Sequence, residues 1–322
     1  QRDVIEGLNT AGFISGYRGS PVGGFDQQLW RAKKFLEQNH IHFQPGLNED
    51  LAASAIWGSQ QTNLHEGGTY DGVFAIWYGK GPGVDRCGDV FKHGNMSGPA
   101  KHGGVLLIAG DDHAAKSSTV PHQSEYAFMD ASIPVLNPAG VQEVIDYGIF
   151  GFAMSRFSGC WVAFKTTAEN MDSSSSIDVS PDRVKISLPD FEMPEGGLSI
   201  RWPDDWIEQE HRLHQYKLNA VRAFARENRI DRIIIESKTP KLGVITTGKS
   251  YLDVRQALED LGIDEVKADK LGLRLYKVGM PWPLEPVGIK EFSQGLKEIL
   301  VVEEKRQIIE SQLKEHLYNL PS

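Results

Sequence analysis

Val105-Leu106-Leu107-Ile108-Ala109 is an unbroken apolar run, with Gly103-Gly104 before it and the polar stretch Gly110-Asp111-Asp112-His113 after it. A run this short, with no polar alternation, is how a strand covered on both faces of a parallel sheet reads. Runs of the same kind recur at 13–15, 73–77, 133–136 and 161–165. Helical patterns lie between them, at about 25–39, 49–63, 122–130 and 139–157. In the last of these, Val141, Val144, Ile145, Gly148, Ile149 and Phe152 recur at three- and four-residue spacing, which predicts one buried face. Asn137-Pro138 before it predicts an N-cap and a proline at the first helical position. Strand–helix alternation of this kind predicts a doubly wound α/β domain over residues 1–171.

Further along, the pattern breaks. Residues 172–236 predict an irregular linker plus a bridging helix. Asp172-Ser173-Ser174-Ser175-Ser176 is polar and turn-forming, and five Pro or Gly positions fall between Pro189 and Pro203. Residues 204–229 then read as one amphipathic helix with Trp206, Leu213, Ala220 and Phe224 on a stripe. A second alternating block has strands at 233–235, 242–246, 273–278 and 300–303, with helices near 249–261, 289–298 and 305–317. It predicts a smaller α/β domain over 237–322. The expected fold class is α/β, two doubly wound and mostly parallel-sheet domains. Residues 1–11 read as the end of a helix and 319–322 as the start of a linker, so the chain is expected to be a fragment of a longer polypeptide.

Composition narrows the function classes. Of 322 residues, 40% are hydrophobic and 24% charged, which excludes wholesale disorder. Lys and Arg number 34 against 43 Asp and Glu, a net charge of −9 with no basic stripe, which argues against nucleic acid as a partner. No apolar run approaches the ~18 residues of a membrane span, so no membrane partner is expected. Cys87 and Cys160 are the only cysteines. By themselves they cannot build a disulfide framework, a four-thiolate zinc site or an iron–sulfur cluster, and their scarcity suits a reducing, cytoplasmic setting. The sequence contains no G-x-S-x-G elbow, no Walker A and no H-E-x-x-H, and its ten histidines lack metal-ligand spacing.

In open α/β sheets ligands bind beyond the carboxyl ends of the strands, so the loops that follow the strands are the candidate site. The first is Ser15-Gly16-Tyr17-Arg18-Gly19-Ser20-Pro21-Val22-Gly23-Gly24. Its glycines permit close backbone approach and Ser20 offers a small hydroxyl. The second, Pro45-Gly46-Leu47-Asn48-Glu49-Asp50-Leu51-Ala52-Ala53, places Glu49 where a buried helix meets a loop. An acid in a first turn is favoured by the helix dipole alone. The same position can desolvate a carboxyl and let it share a proton with a ligand nitrogen. The third, Trp77-Tyr78-Gly79-Lys80-Gly81-Pro82-Gly83-Val84-Asp85, is a glycine-rich bend with Lys80 or Asp85 at its rim and a helix after it. The fourth runs from Gly110-Asp111-Asp112-His113 through Lys116-Ser117-Ser118-Thr119 to His122-Gln123-Ser124-Glu125 and is dense in polar side chains.

Together, GYRGSP, PGLNEDLAA, YGKGPGVDR and GDDHAAKSS resemble the first domain of the 2-oxoacid:ferredoxin oxidoreductases, nearest to the indolepyruvate type. The resemblance covers most of 1–170, and 237–305 resembles the transketolase C-terminal-like domain that follows it in those enzymes. It implies thiamine diphosphate as cofactor, with this chain supplying the pyrimidine-binding half of the site. Glu49 matches the family glutamate that hydrogen-bonds the aminopyrimidine ring nitrogen. Ser20 matches a hydroxyl residue beside the substrate carboxylate, with Arg18 and Gly19 replacing the usual pair before it. Lys80 and Gly81 align with the loop beside the cofactor. The implied reaction is oxidative decarboxylation of a 2-oxoacid to an acyl-CoA, with CoA as co-substrate and ferredoxin as electron acceptor.

The family's Gly-Asp-Gly segment, which holds diphosphate and Mg2+, does not occur here, nor do Cys-x-x-Cys cluster motifs. The resemblance therefore implies that Mg2+ and a [4Fe-4S] cluster belong to a diphosphate-binding domain and a ferredoxin-reducing domain outside this chain. It also implies that this chain alone is inactive, and that the assembly is a homodimer. Two other readings compete. A non-catalytic interaction module retaining the fold predicts Glu49 solvated or paired with a local Lys or Arg. An unrelated nucleotide- or sugar-phosphate-binding protein would use the 16–24 loop.

Overall fold

In the computed structural model, which describes residues 1–319, the run that opened the sequence reading is the centre of a six-stranded parallel sheet. Its strands are β1 (Thr10–Gly16), β2 (Ile41–Phe43), β3 (Gly72–Lys80), β4 (Val105–Asp111), β5 (Val135–Leu136) and β6 (Val162–Thr167), in the order β2-β1-β3-β4-β6-β5. The helices among them are α1 (Arg2–Ile5), α2 (Gly23–Arg31), α3 (Lys33–Gln38), α4 (Glu49–Ser59), α5 (Gly81–Arg86), α6 (Gly88–Ser97), α7 (Glu125–Asp130), α8 (Val141–Ser158) and α9 (Ala168–Met171). Alternation along the strands feeds two cores at once. Leu107 and Ala109 join Trp77 and Ala163 against Ile56, Val84, Phe91 and Phe128. Leu106 joins Val162 and Phe164 on the opposite face, against Tyr147, Met154, Val221 and Phe224.

Residues 172–205 carry no helix or strand and lie against this layer, where Ile200 N–H donates to the Pro99 carbonyl at 2.9 Å. Helix α10 (Trp206–Arg212) runs through a π-helical turn (Leu213–Lys217) into α11 (Leu218–Glu227). This bridging helix is no spacer. Leu213, Leu218, Val221, Phe224 and Ala225 belong to the core beneath α8, whereas Trp206, read as part of its stripe, is 74% exposed.

The second sheet has the order β10-β8-β9-β7, from β7 (Arg232–Ile235), β8 (Leu242–Thr247), β9 (Leu273–Val278) and β10 (Glu298–Val302). β8, β9 and β10 run parallel and β7 is antiparallel to β9. Its helices are α12 (Gly248–Asp260), α13 (Glu265–Leu271), α14 (Pro286–Ser293) and α15 (Ile309–Leu317). The two units are stitched together. Val135 N–H donates to the Trp282 carbonyl at 2.7 Å and Asn137 N–H to that of Gly279 at 2.8 Å, which covers the β5 edge. Edge strands are normally closed off in some such way.

Several local expectations are corrected. β2, α3 as a separate helix and α13 were not anticipated as such, whereas α6 is the helix expected after the Trp77–Asp85 bend. α8 is capped by Gly140 rather than Asn137. Asn137 is instead buried, with its amide 3.3 Å from the Thr247 hydroxyl. On α8 the fully buried stripe is Tyr147, Gly151, Met154, Ser155 and Ser158, while the predicted face is only half-buried. Of the expected linker at 319–322, residues 320–322 lie outside the described residues. No helix among the described residues is long and apolar enough to cross a membrane.

Candidate functional site

The chain leaves β1 toward β2 on one side and leaves β3 toward β4 on the other. The β1/β3 boundary is therefore a topological switch point, the place at the carboxyl ends of the strands where open α/β sheets bind their ligands. Two glycines make the approach possible. A Cβ on Gly16 would lie 2.1 Å from the Tyr78 carbonyl oxygen, and one on Gly19 would lie 3.2 Å from Lys80 Cβ. The loop after β2 also crosses here, with Gly46 N–H donating to the Gly16 carbonyl at 2.8 Å. It delivers Glu49 to the start of α4, where Asn48 Oδ1 caps the Leu51 amide at 2.9 Å.

Glu49 is half-buried. Its backbone carbonyl accepts from Trp77 Nε1 at 3.0 Å, which ties the first turn of α4 to β3. Its side chain lies on the bare backbone of Gly83: a Cβ there would come within 2.5 Å of Glu49 Cγ and 2.9 Å of Oε1. Behind it sits Cys87, fully buried, whose thiol is pushed up by burial and then by the Asp50 and Glu49 charges. Among the described residues no hydrogen bond or ion pair reaches the Glu49 carboxylate from a Lys, Arg or His. A carboxyl held by its stem beside a desolvated core, with its oxygens unspent, has the form needed to engage a ring nitrogen. The residues thus fit the pyrimidine end of thiamine diphosphate. Among the described residues no group of three His, Cys, Asp or Glu could hold a metal ion.

The other predicted residues gather at the same boundary. Arg18 and Ser20 are exposed on the loop after β1, and Pro21 behind them is buried. The stem of Lys80 lies over Gly19, and its Nζ donates to the Ser117 carbonyl. Gly81 is covered by the ring of His122, since a Cβ would lie 2.3 Å from His122 Cγ and Nδ1. The predicted bend at Gly81-Pro82-Gly83 is therefore the first turn of α5. Glycine is required there by close neighbours on both sides.

Sequence reasoning missed the polar cluster behind this turn, seeing only a loop dense in polar side chains. His122 Nε2 lies 2.8 Å from Asp85 Oδ2, and Nδ1 lies 3.3 Å from Ser124 Oγ and 3.5 Å from Asp111 Oδ1. Asp111, 1% exposed, accepts from Ser124 N–H at 2.9 Å and from the Ser124 hydroxyl. Lys165 lies 3.9 Å from Asp111 and is ion-paired with Glu125, all three buried. The hydrogen bond to Asp111 raises His122 above its ordinary value against the effect of burial, and Asp85 adds to the rise. Burial pushes Asp111 up, but His122, Lys165 and Ser124 outweigh it and hold the carboxyl low. Burial likewise disfavours charged Lys165, and the charges of Glu125 and Asp111 overcome it.

The second unit grips this loop. Gln123 and Arg306 exchange reciprocal hydrogen bonds of 3.0 and 3.1 Å, and Arg306 stacks over the Tyr126 ring at 3.8 Å. Lys305 Nζ donates to the His113 carbonyl at 2.9 Å, and His113 Nε2 lies 3.4 Å from Glu304. A cavity of about 10 Å³, lined by Glu125, Lys165, Thr167, Lys249 and Glu304 among others, lies between the sheets. That is room for a single water, which fits a structural joint rather than a substrate pocket.

Residues 232–322 match the family model described as the indolepyruvate oxidoreductase domain. The chain is 31% identical over 327 residues to the indolepyruvate oxidoreductase subunit IorA of Pyrococcus abyssi, covering 97% of this chain and 45% of that protein. It is 25% identical to the subunit of the same name from Methanothermobacter thermautotrophicus, covering 94% and 45%. The chain thus spans about half the length of the curated relatives it matches. Among solved structures, a 2-oxoglutarate:ferredoxin oxidoreductase from Magnetococcus marinus superposes with a TM-score of 0.65 at 15% identity, covering 98% of this chain and 57% of that one. At that identity the likeness is one of fold.

Proposed function

Because the chain falls within the indolepyruvate type of the 2-oxoacid:ferredoxin oxidoreductase family, we propose that it supplies the pyrimidine-binding half of a thiamine diphosphate site in a 2-oxoacid oxidoreductase. One observation carries this reading: the unpaired, half-buried Glu49 carboxyl seated on Gly83 at the switch point between β1 and β3. When bound, thiamine diphosphate supplies an electron sink for the pair left by departing carbon dioxide. Glu49 shares a proton with the pyrimidine ring nitrogen through a side-chain oxygen. Ser20 and Arg18 bind the 2-oxoacid carboxylate, one by hydroxyl and one by charge. Gly19, Lys80 and Gly81 form the wall that lets the loops approach.

In the same reading, residues 1–171 are the pyrimidine-binding domain, 172–236 the linker and bridging helix, ending in β7, which the structure pairs into the second sheet, and 237–322 the transketolase C-terminal-like domain. The diphosphate and Mg2+ are held by a diphosphate-binding domain elsewhere, and a [4Fe-4S] cluster in a ferredoxin-reducing domain passes electrons to ferredoxin. The acyl product leaves on CoA, the enzyme is a cytoplasmic homodimer, and this stretch alone is inactive. The test is Glu49→Gln in the complete enzyme, assayed by 2-oxoacid-dependent reduction of ferredoxin or a viologen dye. General acid–base help of this kind is typically ~10²–10⁴-fold, so turnover is expected to fall by about that factor. Wild-type turnover in the variant defeats the assignment.

A further inference from the structure

We propose that His122 is a positioning residue: gripped between Asp111 at the end of β4 and Asp85 on α5, it pins α5 to the sheet and sets the Gly83 backbone on which Glu49 rests. The contact geometry stands by itself, while its consequence for catalysis rests on the reading of Glu49 given above. Helix α5 spans six residues, begins with two glycines around a proline, and has no side-chain N-cap. A helix that short is not stable alone. Val84 anchors one side of it in the core. The anchor on the other side is the His122–Asp85 contact of 2.8 Å, with the imidazole packed against Gly81.

The hydrogen-bond inventory fixes what His122 must be to serve this way. The Ser124 hydroxyl donates to Asp111, so it accepts from His122 Nδ1, and Asp85 accepts from Nε2. Both ring nitrogens then donate, which only imidazolium can do. The charged groups around it agree. From β4 comes Asp111, backed by Lys165 of β6 and Glu125 of α7. From α5 comes Asp85. From the 112–118 loop comes His113, whose Nδ1–H donates to the His122 carbonyl at 2.9 Å, with Glu304 and Lys305 of the second unit on His113, and from the end of β3 comes Lys80, held to that loop at Ser117. Nε2 faces the Asp85 carboxylate at 2.8 Å, and Nδ1 faces the Ser124 hydroxyl at 3.3 Å with the Asp111 carboxylate 3.5 Å away. A group raised in the folded state holds fully below its unfolded pKa and is lost as pH climbs through the raised value, so the pin releases toward alkaline pH.

The test is hydrogen–deuterium exchange of the full-length enzyme without cofactor, following the peptide over 81–87 from pH 6 to 9 after correction for intrinsic rates. In the wild type, protection is expected to decline as His122 loses its proton. His122→Gln should start about tenfold or more less protected, the worth of one charged hydrogen bond, and show no decline. Asp85→Asn, at an exposed position that leaves folding intact, keeps an acceptor and loses the charge. Its decline should begin at lower pH. If both variants exchange like the wild type at every pH, the proposal is overturned. Thiamine diphosphate affinity, measured separately by calorimetry, distinguishes the two readings. Faster exchange with unchanged affinity supports the pin and counts against Glu49 as the pyrimidine contact.

Discussion

Gly83→Ala is the sharpest perturbation of the Glu49 site, because it adds one methyl group where the structure has no room for it. The new Cβ would lie 2.5 Å from Glu49 Cγ, and ordinary carbon–carbon contact is about 3.5 Å. One of the two must therefore give by about 1 Å. The Gly83 backbone is held by Val84 in the core, so the Glu49 side chain, half-buried and without a partner, is what moves. That motion is cheap in stability. Gly83 lies inside α5 and is not among the glycines with positive φ, so alanine there adds helix propensity of about 1 kcal/mol. The melting temperature should stay level or rise by about 2–4 °C. Function should not stay level. A 1 Å misplacement of a catalytic group can cost about 10²-fold, so 2-oxoacid-dependent ferredoxin reduction by the complete enzyme should fall by about that factor, together with thiamine diphosphate affinity. A variant of wild-type stability and wild-type turnover would refute the claim that Glu49 works from its seat on Gly83.

Two buried ionisable groups outside the site predict opposite pH trends. Burial pushes Asp231 up to about 7 although Gly279 and Met280 N–H both donate to it. Its contribution is present below the unfolded value near 3.8 and is lost as pH rises through 7, so Asp231→Asn, which keeps the acceptor, should abolish that decline and gain at most about 4 kcal/mol at pH 8. Burial pushes Lys217 down to about 8 from 10.5, with its Nζ donating to the Asn95 and Met96 carbonyls. Its stabilising share is present above 10.5 and lost as pH falls through 8, so the wild type should gain about 3 kcal/mol between those limits and Lys217→Met should not. Urea midpoints across pH 4–10.5 read both.

The fold was largely legible because β1, β3, β4 and β6 are covered on both faces, and a strand so placed is apolar along most of its length. β2 was not legible. It is three residues long, lies at the sheet edge and carries exposed His42 in its middle. Helix α8 misled for a different reason. The sheet covers one side of it and α11 another, so more than one apolar stripe exists and periodicity chose the half-buried one. At the candidate site, Glu49 could be singled out because a capped helix start and a family motif coincide in one short stretch. His122, Asp85, Asp111 and Lys165 could not. His122 and Asp85 are 37 residues apart and Lys165 and Glu125 are 40 apart, and each alone reads as an ordinary polar residue. The glycines at 81 and 83 suggested a bend because sequence shows glycine's freedom and not the neighbours that require its smallness.

The second unit bears on the site through the loop that carries His122. Residues 304–307 leave β10 and meet that loop at Gln123 and His113, and the helix after it at Tyr126. Taken singly, such partly exposed polar contacts are worth little. They matter because they converge on a segment with no regular structure between Asp111 and Glu125, where few apolar contacts compete to fix the backbone. The ordered chain then runs from Arg306 to Gln123, from the adjacent His122 to Asp85, and from α5 through Gly83 to Glu49. Each link is a hydrogen bond, a close packing contact or a step of one or two residues along the backbone, and none passes through the parallel sheet itself. Residues 304–307, within the stretch matching the indolepyruvate oxidoreductase domain, therefore brace the loop that carries His122, and the contacts continue from there to the Glu49 side chain some 250 positions earlier in the chain.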